Sequence, residues 1–273
     1  MPSATLSIYV SILPQKYLVE RIGRPYVNVT TLVGPGQSPA TFEPSPKQMT
    51  QLQDCRAYLR MGVPFENVWM HKIAQANPRM RIVNVNAIES GAGGATSDAG
   101  MTNQHDHAHT DAMDPHTWTS PRLLQAIARN IKDVLSQLDP GHEPAYAANL
   151  QLLLQDLRNL DQQIRALLHD SKVTHFMVFH PAWGHFAANY GLTQIAIEHQ
   201  GKEPGARSLV QLIDSARQLG LHRIFVQLQF NQRSVRIIAK AIGAEVVVVD
   251  PLAENVPDNL LHFARLLTGK DDV

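Results

Sequence analysis

The sequence predicts an α/β protein of two lobes, each with a parallel central sheet flanked by helices, joined by one long rigid helix. Three observations carry that prediction. Short β-rich runs alternate with helix-length amphipathic segments in both halves, the pattern of βαβ units. One unbroken helical pattern occupies the middle of the chain, from 143 to about 169. Residues 245–250, Glu-Val-Val-Val-Val-Asp, form a nearly continuous apolar run of the kind a buried parallel strand shows. At 273 residues the chain is comfortable for two domains, taking roughly 100–200 residues for each.

In the first half, residues 6–12 read as a strand, 15–22 as a helix and 27–33 as a strand, with a turn at Gly34, Pro35 and Gly36. Ser45 and Pro46 open a helix to about 53, serine as N-cap and proline at the first helical position. Strands follow at 58–61 and 80–85, and a second capped helix starts at Ser120 and Pro121. Asp139, Pro140 and Gly141 end it near 137. In the middle pattern Ala147, Leu150, Leu154, Leu157, Ile164, Leu167 and Leu168 recur at helical spacing; at 1.5 Å per residue, about 25 residues make a rod on the order of 38 Å. The second half repeats the logic: strands at 173–180, 194–197, 223–227 and 245–250, with helices at 183–190, 209–219, 234–242 and 259–267. The expected division is an N-terminal lobe over 1–138, a linking helix over 143–170 and a C-terminal lobe over 171–273.

Twenty-four basic and twenty-four acidic residues cancel, which argues against a nucleic-acid or membrane-surface partner. The single cysteine, Cys55, excludes an internal disulfide and a cysteine-rich zinc module and reads as a buried structural thiol. No apolar run approaches the ~20 residues that span a bilayer. No signal peptide is visible, so composition leaves a cytoplasmic protein and a processed extracytoplasmic one both open.

Chemistry concentrates in histidines. Residues 103–116 hold His105, His107, His109 and His116 with three aspartates, after a Gly/Ala/Ser-rich run. Neutral imidazole is the commonest metal ligand, and short His-rich tracts read as metal binding. The first three lie in low-complexity sequence, a collecting loop at about 90–113; His116 lies in ordered chain entering a helix. In open parallel sheets ligands bind beyond the carboxyl ends of strands, where His180 and Asp250 stand. Two histidines and an aspartate from both lobes make most of a tetrahedral zinc site. Each has a plainer reading: a hydrogen-bonded cleft histidine, or for Asp250 an Asx-type turn before Pro251. His175 reads as structural, and His185 and His199 fall near the expected cleft. There is no GxSxG elbow, P-loop, HExxH helix or GxGxxG after a strand, so nothing argues for an enzyme.

Taken together, Gly36-Gln-Ser-Pro-Ala-Thr-Phe-Glu-Pro-Ser-Pro46, Asp114-Pro-His-Thr-Trp-Thr-Ser-Pro121, Phe179-His-Pro-Ala-Trp-Gly-His-Phe-Ala-Ala-Asn-Tyr-Gly-Leu192 and Val249-Asp-Pro-Leu-Ala-Glu254 resemble the zinc- and manganese-binding solute-binding proteins of ABC importers (ZnuA/TroA-like). The resemblance covers nearly the whole chain. It implies two lobes around a backbone helix, Zn²⁺ (alternatively Mn²⁺) in the cleft, and delivery to an ABC permease in the membrane. It further implies a monomer and a periplasmic or other extracytoplasmic location, with a signal sequence absent from this chain. His116, His180 and Asp250 match ligand positions of that family. Its usual first histidine falls at Ala40, which cannot ligate; water, Glu198, Glu43 or a loop histidine (His105, His107 or His109) are the candidates to fill that position. A zinc-dependent hydrolase with an open coordination position is the rival reading, and it needs Glu198 or Glu43 as general base.

Overall fold

The computed structural model describes residues 5–87, 114–199, 201–227, 229–230 and 233–270. The first lobe holds β1 (Leu6–Val10), α1 (Leu13–Gly23), β2 (Val27–Thr31), α2 (Pro46–Gln51), β3 (Ala57–Arg60), α3 (Pro64–Ala76), β4 (Arg81–Asn84) and α4 (Pro121–Leu138). The 27-residue α5 (Glu143–His169) follows. The second lobe holds β5 (His175–Val178), α6 (Gly184–Tyr190), β6 (Thr193–Ala196), α7 (Ala206–Gln218), β7 (Arg223–Val226), α8 (Arg233–Ile242), β8 (Glu245–Val248) and α9 (Val256–Thr268).

Each sheet has four parallel strands, in the order β2-β1-β3-β4 and β6-β5-β7-β8. The chain therefore reverses its winding direction between β1 and β3, and again between β5 and β7. Such a switch point opens a crevice outside the carboxyl ends of the strands. The two crevices determine where a ligand can sit.

Side chains of β5 alternate, as a pleated strand requires. Phe176 and Val178 join a large apolar core with Trp183 and Phe263, while Met177 joins Ile224, Val226 and Ile238 on the sheet's other face. The larger core does not stop at the lobe boundary. It runs from Ile8 and Tyr58 through Leu157 and Ile164 to Phe263. The spine α5 buries Tyr146, Leu150, Leu153, Leu154, Leu157, Leu160, Ile164 and Leu168, and packs against α1 and α4 of the first lobe and α9 of the second. Each such side chain stabilises the fold by roughly 1.5–3 kcal/mol before the entropy of ordering it is subtracted.

The helix starts follow the expected chemistry. Ser45 accepts from the backbone of Gln48 while Gln48 reaches back, a capping box with Pro46 in the first turn. Ser120 caps α4 through Leu123 N. Two expectations shift. Most strands stop short of the sequence reading, β8 at Val248 rather than Asp250, because the chain leaves the sheet to form the crevice. The helix α3 has no counterpart in the sequence reading, since it buries only Phe65, Glu66 and Ile73 and leaves Val68 exposed. Cys55 precedes β3 and is buried, and burial pushes its thiol up to about 11; it stays protonated and unreactive at neutral pH.

Candidate metal centre

The second lobe presents His180 two residues beyond β5. The motif around it explains how the ring is held. Trp183 and Phe186 are fully buried; Trp183 stacks on Phe263 with ring centroids 3.7 Å apart, and Phe186 meets the same ring edge-on at 5.2 Å. The turn is thus nailed into the core just after the histidine. The His180 carbonyl accepts from Ala182 N at 2.8 Å and from Gln227 Nε2 at 3.3 Å, and Phe230 stacks on the imidazole.

His116 comes from the first lobe, immediately before a 3-10 turn at Thr117–Thr119. Asp114 fixes it twice, Oδ1 accepting from the His116 backbone at 3.0 Å and from ring Nδ1 at 2.6 Å. Trp118, buried beside it, donates its indole N–H to the Pro251 carbonyl across the lobe boundary at 2.8 Å. Gly184 is part of this arrangement: a Cβ there would come within 2.6 Å of Asp114 Oδ2. His185 Nε2 donates to the Asp114 carbonyl at 2.9 Å, tying α6 to the segment that carries His116.

His180 has the matching device. Its Nδ1 stands 2.6 Å from Oε1 of the buried Glu198. Each imidazole thus turns Nδ1–H to a carboxylate, and the two Nε2 atoms face one another at 3.3 Å. Carboxylates behind histidines in this way fix tautomer and ring orientation and raise basicity toward a metal. Two Zn–N bonds of 2.0–2.1 Å at the tetrahedral angle place their nitrogens about 3.3–3.4 Å apart. The pair fits one zinc ion.

Electrostatics agree with that geometry. Burial lowers the affinity of His180 for a proton, the neighbouring His116 lowers it further, and Glu198 and Asp114 offset part of this, so the ring titrates below 6.5. Burial alone would raise the Asp114 carboxyl, but the His116 ring and backbone N–H groups, with His185 beyond, hold it below the ordinary aspartate value.

The facing nitrogens open on a cavity of about 70 Å³. Its walls include Ser38, Pro39 and Ala40, Val63 and Pro64, Trp118, Gln227, Phe230, Pro251 and Leu252. Below it in the first lobe, the buried Glu66 accepts from Met61 N at 2.8 Å, from Gly62 N at 2.9 Å and from Ser11 Oγ, which also meets Tyr58 OH. Burial raises the Glu66 carboxyl, against these hydrogen bonds and Arg60. That network pins the turn delivering Val63 to the cavity wall.

Of the sequence candidates, His116 and His180 are brought together. Asp250 stands beyond β8 with Oδ1 accepting from Leu252 N at 2.9 Å, the Asx-type turn, and it is Pro251 and Leu252 that line the cavity. Ala40 lines the cavity, whereas Glu43 is exposed and does not. Glu198 holds His180. His105, His107 and His109 lie outside the described residues. Among the described residues no cluster of three His, Cys, Asp or Glu is gathered in the arrangement of a metal cage. The sequence reading missed Asp114 as a partner of His116, although its position two residues before the histidine was the available signal, and it missed Gln227, for which there was none.

The family model for the periplasmic zinc-uptake complex component A (ZnuA) matches residues 8–267. The chain belongs to this ZnuA family. It superposes on a crystal structure of ZnuA with a TM-score of 0.86 at 36% identity, covering 98% of this chain and 100% of that one. A ZnuA deletion mutant with zinc bound gives the same score and identity over 98% and 99%. The zinc-binding protein AdcA of Streptococcus pyogenes is 28% identical over 238 residues, 82% of this chain. The chain spans about half the length of that relative, 46%. Among the described residues no helix is long and apolar enough to cross a membrane.

Proposed function

We propose that this protein captures Zn²⁺ between His116 and His180 outside the cytoplasm and delivers it to an ABC permease. The observation carrying the reading is the pair of Nε2 atoms 3.3 Å apart, each ring held from behind by a carboxylate. Asp250 is the third protein ligand in this reading: Oδ1 is engaged in its turn, and the remaining oxygen serves the metal. Two imidazoles favour zinc over manganese, which prefers an oxygen-rich shell. The protein acts as a monomer, with lobes at 1–138 and 171–273 about the spine. A hydrolase reading gains no support, because Glu198 is engaged with His180 and Glu43, the other candidate base, is exposed and does not line the cavity.

Chelator-competition titration with zinc tests the assignment. His180→Ala should abolish tight binding and Asp250→Ala should weaken it, both without loss of fold. Wild-type affinity in His180→Ala would sink the site. Manganese outcompeting zinc at the wild-type site would overturn the choice of metal.

A further inference from the structure

Gln227 stands one residue beyond β7, on the opposite side of the second sheet's switch point from His180. It is 2% exposed and lines the same cavity as His116, His180 and Ala40. Its amide orientation is fixed by its neighbour: Nε2 donates to the His180 carbonyl at 3.3 Å, and a flipped amide would set oxygen against oxygen. Oε1 is therefore the free end, buried and without a hydrogen-bond partner among the described residues. A buried amide oxygen needs a donor. Of the cavity walls, Pro39, Ala40, Val63, Pro64, Phe230 and Leu252 have no side-chain polar hydrogen to give, and neither Ser38 nor Gln229 donates to this oxygen.

We infer that Gln227 Oε1 accepts a hydrogen bond from a water molecule carried by the bound metal, and that this water completes the coordination shell on the Ala40 side. The inference rests on the zinc reading above. Two imidazoles and one carboxylate leave a tetrahedral ion one position short, and the alanine methyl cannot fill it. A cavity of about 70 Å³ has room for an ion with a water, whose share of liquid volume is about 30 Å³. Metal-bound water is a stronger donor than bulk water, and a neutral amide oxygen receives it without adding charge. Gln227 is thus a positioning residue for the metal's own water, through an oxygen that a methionine of similar shape lacks.

The test is a double-mutant cycle on the full chain, read by chelator-competition titration with zinc. Gln227→Met should weaken zinc binding roughly 10–100-fold, the usual effect of removing a group that supports a metal ligand. Ala40→His should supply an imidazole in place of the water, and in that background Gln227→Met should cost markedly less. Loss of the Nε2 bond to His180 is common to both backgrounds and cancels. Equal losses in the two backgrounds would overturn the inference. Cobalt-loaded protein in D2O gives an independent readout by pulsed electron paramagnetic resonance. Strongly coupled deuterons of bound water should appear in the wild type and vanish in Ala40→His, and their absence from the wild type would overturn the inference even if Gln227→Met fails to fold. If the wild type binds no zinc, the underlying reading fails instead; if it binds and His180→Ala does not, an unchanged affinity in Gln227→Met defeats the inference alone.

Discussion

Glu198 stands behind His180 as Asp114 stands behind His116, so two residues from different lobes meet nitrogen to nitrogen at 3.3 Å. The relationship between His180 and Glu198 is the more buried of the two, with the Glu198 side chain 2% exposed. An imidazole oriented this way needs no rotation to accept a metal, which is the physical content of preorganisation.

Weakening either carboxylate should therefore loosen zinc without removing a ligand. Glu198→Gln and Asp114→Asn keep a hydrogen-bond acceptor but lose the charge behind the ring. Each is expected to raise the zinc Kd about 10–100-fold, measured by chelator competition, with circular dichroism unchanged.

Gly184→Ala should act on His116 through Asp114. The new methyl would press on Asp114 Oδ2, which stands 2.6 Å from the Cβ position. Because Asp114 also takes two hydrogen bonds from His116, the displaced carboxylate turns the ring out of line. Zinc affinity should fall while the melting temperature changes modestly. A melting loss as large as that of a core truncation would point to a packing role instead.

Phe263 is the hub of the second lobe's aromatic cluster, touching Phe176, Trp183, Phe186 and Phe225. Phe263→Ala should cost about 3–5 kcal/mol in denaturant unfolding. Since Trp183 anchors the turn after His180, zinc affinity should drop with it.

Acid should both unfold the apo protein and release the metal. The folded His180 titrates below 6.5, the ordinary histidine value, because burial and His116 disfavour its charge. The unfolded chain then binds more protons than the folded one as pH falls below 6.5. Stability from this group is present above that pH and is lost on acidification through the folded value. Zinc competes with the same proton, so its affinity should fall in the same window. Melting curves and zinc titrations between pH 7.5 and 5, taken at steps of about half a unit, should show both, and His180→Ala should flatten the apo component.

How much of this could be read beforehand depends on whether the cause is local. The bounds of α5 were legible because Leu150, Leu154, Leu157 and Ile164 recur at helical spacing and all face one core. Caps at Ser45 and Ser120 are written within four residues and were equally plain. The helix α3 was not, since a surface helix that buries three residues leaves no apolar stripe. His116 and His180 could be nominated from strand-end and loop positions, but their meeting depends on both lobes. Glu198 was weighed as a ligand, and its Oε1 is engaged with the His180 ring. Asp250 makes the Asx-type turn, and its part as a ligand belongs to the proposal.

The apolar core that crosses from one lobe to the other along α5 has a consequence for how a transporter would know that its cargo has arrived. A hinged receptor announces loading by changing its outline. Here a wide opening would have to divide the core that Leu157, Ile164 and Phe263 share. On the proposed function, the loaded and empty forms therefore share nearly one silhouette and differ by the two positive charges lodged at the mouth of the crevice. On that reading the difference between the two forms is electrical before it is mechanical.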